Sequence, residues 1–237
     1  MPLERFHLPH EISPDSVPYI AVAIGRTSHG NTHTGIVHRD PIDGVLLLEH
    51  AFHFDLRNNA LSSEYGCVVP NLPRERARSV AGLCRLIGQR NSDRKGDSEA
   101  GFPYALRHDP HSRFDTLSGT LLLGKHGKGL TCATFVLVVF SSFGVSLVDF
   151  AGWPWREEDA LWHRSIVELL KRLCNDLEHI RVVESEIGID CCRFRCEEVA
   201  GASTVDDLPA SFAESEEAGR EILAVLDAYL SSTMGNS

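Results

Sequence analysis

No apolar run in this chain approaches the roughly 20 residues that a bilayer-crossing helix needs. The longest is Phe135 to Phe140, which Ser141 and Ser142 end. Basic charge is also scarce: 23 Lys and Arg against 33 Asp and Glu give a formal net charge of -10. That disfavours nucleic acid as a partner, because phosphate binding needs a basic surface. Residues Met1 to Glu11 lack a basic start followed by an apolar stretch, so no secretory signal is expected. These absences together predict a cytoplasmic protein without a membrane span. There is no CxxC pair, no HExxH and no GxSxG. A zinc site built on Cys191, Cys192 and Cys196 would need ligands from elsewhere, since neighbours on a strand point to opposite sides. The seven cysteines therefore read as reduced thiols, in keeping with a cytoplasmic location. No internal repeat and no low-complexity tract is present.

What is there is an ordinary globular composition, 43% hydrophobic and 24% charged over 237 residues, enough for a substantial buried core. Strands are expected at Tyr19 to Ile24, Leu117 to Leu123, Val145 to Phe150 and Ile187 to Cys196. A hairpin is expected from Thr32 to His38 and Val45 to Phe54, with Asp-Pro and Asp-Gly turn signals between its arms. Helical spacing marks Pro73 to Gln89, with Val80, Leu83, Cys84 and Ile87 on one face. It also marks Thr131 to Phe143, Glu157 to Leu177 and Ser211 to Leu230. In the third of these, Leu161, Ile166, Leu169, Leu170 and Leu173 should line the buried side. Residues 91–101 read as an exposed mobile loop. The class is α+β, with a core over 1–153 and a C-terminal α/β extension over 154–237.

Cys132 is the strongest chemical candidate. A strand, the glycine-rich loop Gly124 to Leu130 and an apolar helix follow one another, and Thr131 is a good N-cap. Cys132 then falls in the first helical turn, where free N–H groups and the helix dipole favour a thiolate. The same N–H groups can stabilise an oxyanion. A cysteine nucleophile needs a base, normally histidine. If the hairpin turn is centred between Pro41 and Ile42, His33 faces His50, making one the base and the other its orienter. A slip of one residue puts Glu49 opposite His33 instead, also a chemically sensible orienter. His38, His53 and Asp55 are weaker candidates.

These residues resemble a known family. His33-Thr34-Gly35-Ile36-Val37 is similar to the histidine strand of deSUMOylating isopeptidases and their bacterial relatives. Leu130-Thr131-Cys132-Ala133-Thr134-Phe135-Val136 is similar to the cysteine helix of those proteins and of lecithin:retinol acyltransferase-like enzymes. The resemblance covers residues 20–150 and implies a circularly permuted papain-like core with an antiparallel sheet and a buried cysteine-bearing helix. It implies Cys132 as nucleophile, His33 as base and a third polar position near His50, with no cofactor or metal. The family cysteine is often preceded by asparagine, where this chain has Thr131.

Two other signals carry less. Gly124-Lys125-His126-Gly127-Lys128-Gly129 sits where a phosphate loop would lie, but Lys128 is followed by glycine rather than Ser or Thr. His108, Asp109 and His111 could ligate a metal, although Pro110 makes the string read as a turn. The expected activity is a thiol hydrolase acting on an amide, isopeptide or ester bond of a protein or peptide. The alternative is a non-catalytic interaction or immunity-type module.

Overall fold

A computed structural model describes residues 2–27, 30–92, 101–188 and 191–234. The mobile-loop expectation for 91–101 falls mostly on residues outside these ranges. Alternating apolar positions in the first third of the chain build one antiparallel sheet. Its strands are β1 (Phe6–His7), β2 (Ile20–Arg26), β3 (Thr32–Asp40), β4 (Gly44–Phe52), β5 (Asp55–Ala60) and β6 (Tyr65–Val68). They lie side by side in the order β1-β6-β2-β3-β4-β5. Gly44 opens β4 at φ 82°, a left-handed conformation that suits glycine and lets the hairpin close.

Paired positions on β3 and β4 sum to 84: Ile36 faces Leu48 and Val37 faces Leu47. This corrects the expected sum of 83. An even sum keeps same-parity residues on one face of the pleat. Val22, Ile24, Ile36 and Leu48 thus face the main core. Ala21, Ala23, Val37 and Leu47 face a smaller cluster with Val17, Tyr65 and Cys67.

Helix α1 (Arg74–Ser92) buries Val80, Leu83, Cys84 and Ile87 against the main core. The strand expected at Leu117 to Leu123 shrinks to β8 (Leu121–Leu122), paired with β7 (Arg113–Phe114). The preceding residues form a turn, because Asp115 accepts hydrogen bonds from the N–H groups of Leu117 and Ser118. Helix α2 (Cys132–Ser141) is buried from Cys132 to Phe140. Truncating Phe135 or Phe140 to alanine would cost about 3–5 kcal/mol.

The expected strand Val145 to Phe150 is reduced to a single bridge, Val148 to Ala210. The helix expected from Glu157 to Leu177 is α3 (Asp159–Leu173), and an unexpected helix α4 (Leu177–Ser185) follows it, capped by Asp176, which accepts from the His179 N–H. The buried side of α3 carries Asp159, His163, Val167 and Leu170, while Leu161 and Leu173 are exposed. The helix is rotated from the expected face because Asp159 is held inside by the guanidiniums of Arg156, Arg193 and Arg195.

The strand expected at Ile187 to Cys196 is absent from its described residues; Cys196 instead opens α5 (Cys196–Ala202). Helix α6 (Phe212–Met234) crosses α5 so closely that a Cβ on Gly201 would sit 2.3 Å from the Ser215 carbonyl oxygen. Phe194, Val199, Ala202, Ile222 and Leu226 join the same core as the sheet and α2. The architecture is mixed α+β, and among the described residues no helix is long and apolar enough to cross a membrane.

Candidate active site

Thr131 caps α2 in both directions. Its hydroxyl accepts from the Thr134 N–H at 3.1 Å, and the Thr134 hydroxyl accepts from the Thr131 N–H at 2.7 Å. Cys132 is therefore the first residue of a rigid, buried helix. The loop before it is pinned from two sides. The Leu130 N–H donates to the Pro103 carbonyl at 3.0 Å, and a Cβ on Gly129 would meet that same oxygen at 2.2 Å, so only glycine fits. Asp109 accepts from the N–H groups of His111, His126 and Gly127. The Asp109 carboxylate thus fastens the glycine loop to its neighbouring turn. His108 stacks on Phe150, with ring centroids 4.5 Å apart, and its ring is built into the packing.

His33, on β3, lies beside the Cys132 side chain, and the Thr34 N–H faces the sulfur. His33 Nε2 also lies 3.1 Å from Glu49 Oε2. Glu49 accepts a hydrogen bond from the Tyr65 hydroxyl at 3.0 Å, and Arg57 stands 3.9 Å away. Cys132 and His33 each keep 8% of their surface exposed, so the approach to them is narrow.

The electrostatics favour separated charge. A hydrogen bond from the Cys196 thiol outweighs burial and, with the positive charge of His33, holds Cys132 well below the ordinary thiol value. Burial alone would lower His33, but the charges of Cys132 and Glu49 raise it to about 10. Burial would raise Glu49, but His33, Tyr65 and Arg57 hold it below the usual carboxylate range. Both shifts favour a thiolate–imidazolium pair backed by a carboxylate.

His50 does not pair with His33. With the register sum even, residues 33 and 50 point to opposite faces. Fully buried His50 donates from Nε2 to the Leu130 carbonyl at 3.0 Å. Burial lowers it to about 4, so it stays neutral. It holds the loop that leads into Cys132. Glu49, the alternative orienter, takes the place next to His33, reached diagonally beyond the paired part of the hairpin. His38 donates to Asn58 on β5 at 2.9 Å. His53 accepts from the Tyr104 N–H and lies 3.4 Å from the Cys174 sulfur. Asp55 pairs with Arg57.

Two site residues were not legible as such. The Tyr104 phenol faces the Cys132 N–H, and burial, with the charges of Cys132 and Cys196, keeps it protonated. Nothing in the sequence around Tyr104 signals this. Cys196 places its sulfur 3.5 Å from that of Cys132. The signal for Cys196 was a weak one, a cysteine followed by Glu197 and Glu198, acidic residues suited to a first helical turn. No protein-family model, no curated protein and no solved structure matches this chain.

Proposed function

We propose that this chain is a thiol hydrolase with a permuted papain-like core, cleaving an amide, isopeptide or ester bond in a protein or peptide. The observation that carries this reading is the contact between Cys132, at the start of a buried helix, and His33, itself held by Glu49. In the reaction the Cys132 thiolate attacks the carbonyl carbon. The carbonyl π electrons move to oxygen, and that oxyanion accepts hydrogen bonds from the Cys132 N–H and the Tyr104 hydroxyl. The His33 imidazolium gives its proton to the leaving nitrogen or oxygen as the bond to carbon breaks. A thioester remains. Neutral His33 then takes a proton from water, whose oxygen attacks the thioester and restores the thiolate. None of these steps calls on a cofactor or metal. None of the seven cysteines is joined in a disulfide, which supports a reducing, cytoplasmic setting.

The test uses an electrophilic probe directed at cysteine hydrolases. Labelling of Cys132 should fall on the order of 10²-fold in His33→Ala, as expected for loss of an acid–base partner. Equal labelling of both proteins would reject His33. The narrow exposure of Cys132 and His33 favours a second reading, a non-catalytic interaction module. Labelling of Cys132 only after denaturation would select that reading.

A further inference from the structure

Two thiols from distant parts of the chain meet at the start of two helices. Cys132 is the first residue of α2 and Cys196 the first of α5, and their sulfurs lie 3.5 Å apart. The Cys196 sulfur also lies 3.5 Å from the Thr32 carbonyl oxygen, beside His33. Both cysteines are buried, at 8% and 6% exposure.

Neither position is loose. α2 is held by its Thr131–Thr134 cap. α5 is held by Glu198, which accepts from the Arg195 N–H at 2.8 Å and pairs with Arg156, and by its close glycine crossing with α6. A disulfide has an S–S distance of about 2.0 Å, so side-chain rotation need close only a short gap. The other five thiols lie elsewhere: Cys67 on the opposite face of the sheet, Cys84 on α1, Cys174 beside His53, Cys191 in the cluster with Val167 and Leu170, and Cys192 against the Trp153 carbonyl.

We propose that Cys196 is a resolving thiol, so that a hydroperoxide acting on Cys132 yields a reversible Cys132–Cys196 disulfide. The Cys132 thiolate attacks one peroxide oxygen, the O–O bond breaks, and the other oxygen leaves as an alcohol or water after gaining a proton. Cys132 is oxidised to the sulfenic acid and the peroxide is reduced. Cys196 then loses its proton and attacks the Cys132 sulfur. The S–S bond forms, the S–O bond breaks, and the hydroxyl leaves with that proton as water. A dithiol reductant restores both thiols by exchange. A hydroperoxide is small enough for the narrow approach to Cys132. The disulfide shields Cys132 from sulfinic acid and, while it lasts, withdraws the sulfur from any other chemistry. The proposal rests on the two thiols and stands whether or not the pair cleaves a carbonyl substrate.

The experiment treats the reduced full-length chain with hydrogen peroxide, blocks free thiols by alkylation, and maps peptides without reduction. The expected product is a peptide pair joined through Cys132 and Cys196, two hydrogen atoms lighter than its parts and separated by dithiothreitol. Cys196→Ser and Cys196→Ala should convert Cys132 to sulfinic acid, and the share of Cys132 that dithiothreitol recovers should fall several-fold. Sulfenic or sulfinic Cys132 in the wild type with no Cys132–Cys196 peptide would overturn the proposal, whatever the variants do. Equal recovery in folded variants and wild type would overturn it as well.

Discussion

Glu49 Oε2 lies 3.1 Å from His33 Nε2 and accepts the Tyr65 hydroxyl at 3.0 Å, so one carboxylate oxygen serves both groups. The alignment toward His33 is that of an ion pair rather than a directed hydrogen bond. Glu49 thereby stabilises a positive imidazole beside the Cys132 sulfur. Replacing it by glutamine keeps a hydrogen-bond acceptor for Tyr65 and removes the charge. Glu49→Gln should slow Cys132 alkylation by on the order of 10²-fold at acid pH, where only the ion pair keeps the thiolate. Stopped-flow alkylation at several pH values checks this; an unchanged profile would remove Glu49 from the site.

The thiolate–imidazolium pair sets a pH window. In the folded chain His33 is raised to about 10 and Cys132 is lowered below 9.0, while unfolded values are 6.5 and 9.0. Between about pH 6.5 and 9 both states hold one proton on this pair, so its contribution to stability is flat. Below that window the unfolded chain binds more protons, and stability falls as pH drops. Above it the folded chain keeps the His33 proton that the unfolded chain has no counterpart for, and stability falls as pH rises through about 10. Urea unfolding across this range should show the plateau, and Cys132→Ala should weaken both limbs.

His50 is assigned to the loop, and a substitution separates that from an acid–base role. His50→Phe leaves the buried Leu130 carbonyl without its donor and should cost about 1–3 kcal/mol at neutral pH. The His50 value is lowered from 6.5 to about 4, so its share of stability is present above 6.5 and lost as pH falls toward 4. Urea titrations at neutral and mildly acid pH should show a smaller acid loss in His50→Phe. A collapse of Cys132 alkylation as deep as that of His33→Ala would return His50 to the catalytic pair.

Asp159 meets Arg156 at 2.8 Å, Arg195 at 2.9 Å and Arg193 at 3.2 Å, and is itself almost fully buried. Removing its charge takes from Arg193 the carboxylate it pairs with and leaves Arg156 and Arg195 to Glu198 alone near the interior. Asp159→Asn should cost about 3–5 kcal/mol, read as a lower urea midpoint with an unchanged slope. Since Arg156 also pairs with Glu198 on α5, the Cys132–Cys196 contact should loosen too.

The sequence alone determined the local pieces. Thr131 before an apolar run marks a capped helix, and the turn signals between His38 and Val45 mark a hairpin, because caps and turns are decided by neighbouring residues. The face of α1 follows from its own spacing. Tertiary structure decided the rest. One residue of register decides whether Glu49 or His50 shares a face with His33, and that register depends on the whole sheet and its core. The rotation of α3 depends on arginines beyond the helix, at 193 and 195. Cys196 reaches Cys132 across 64 residues, and the Tyr104 ring comes to the Cys132 backbone from a loop. Contacts of that span leave no local pattern in a chain, because they are fixed by how helices and sheet pack and not by what adjoins each residue.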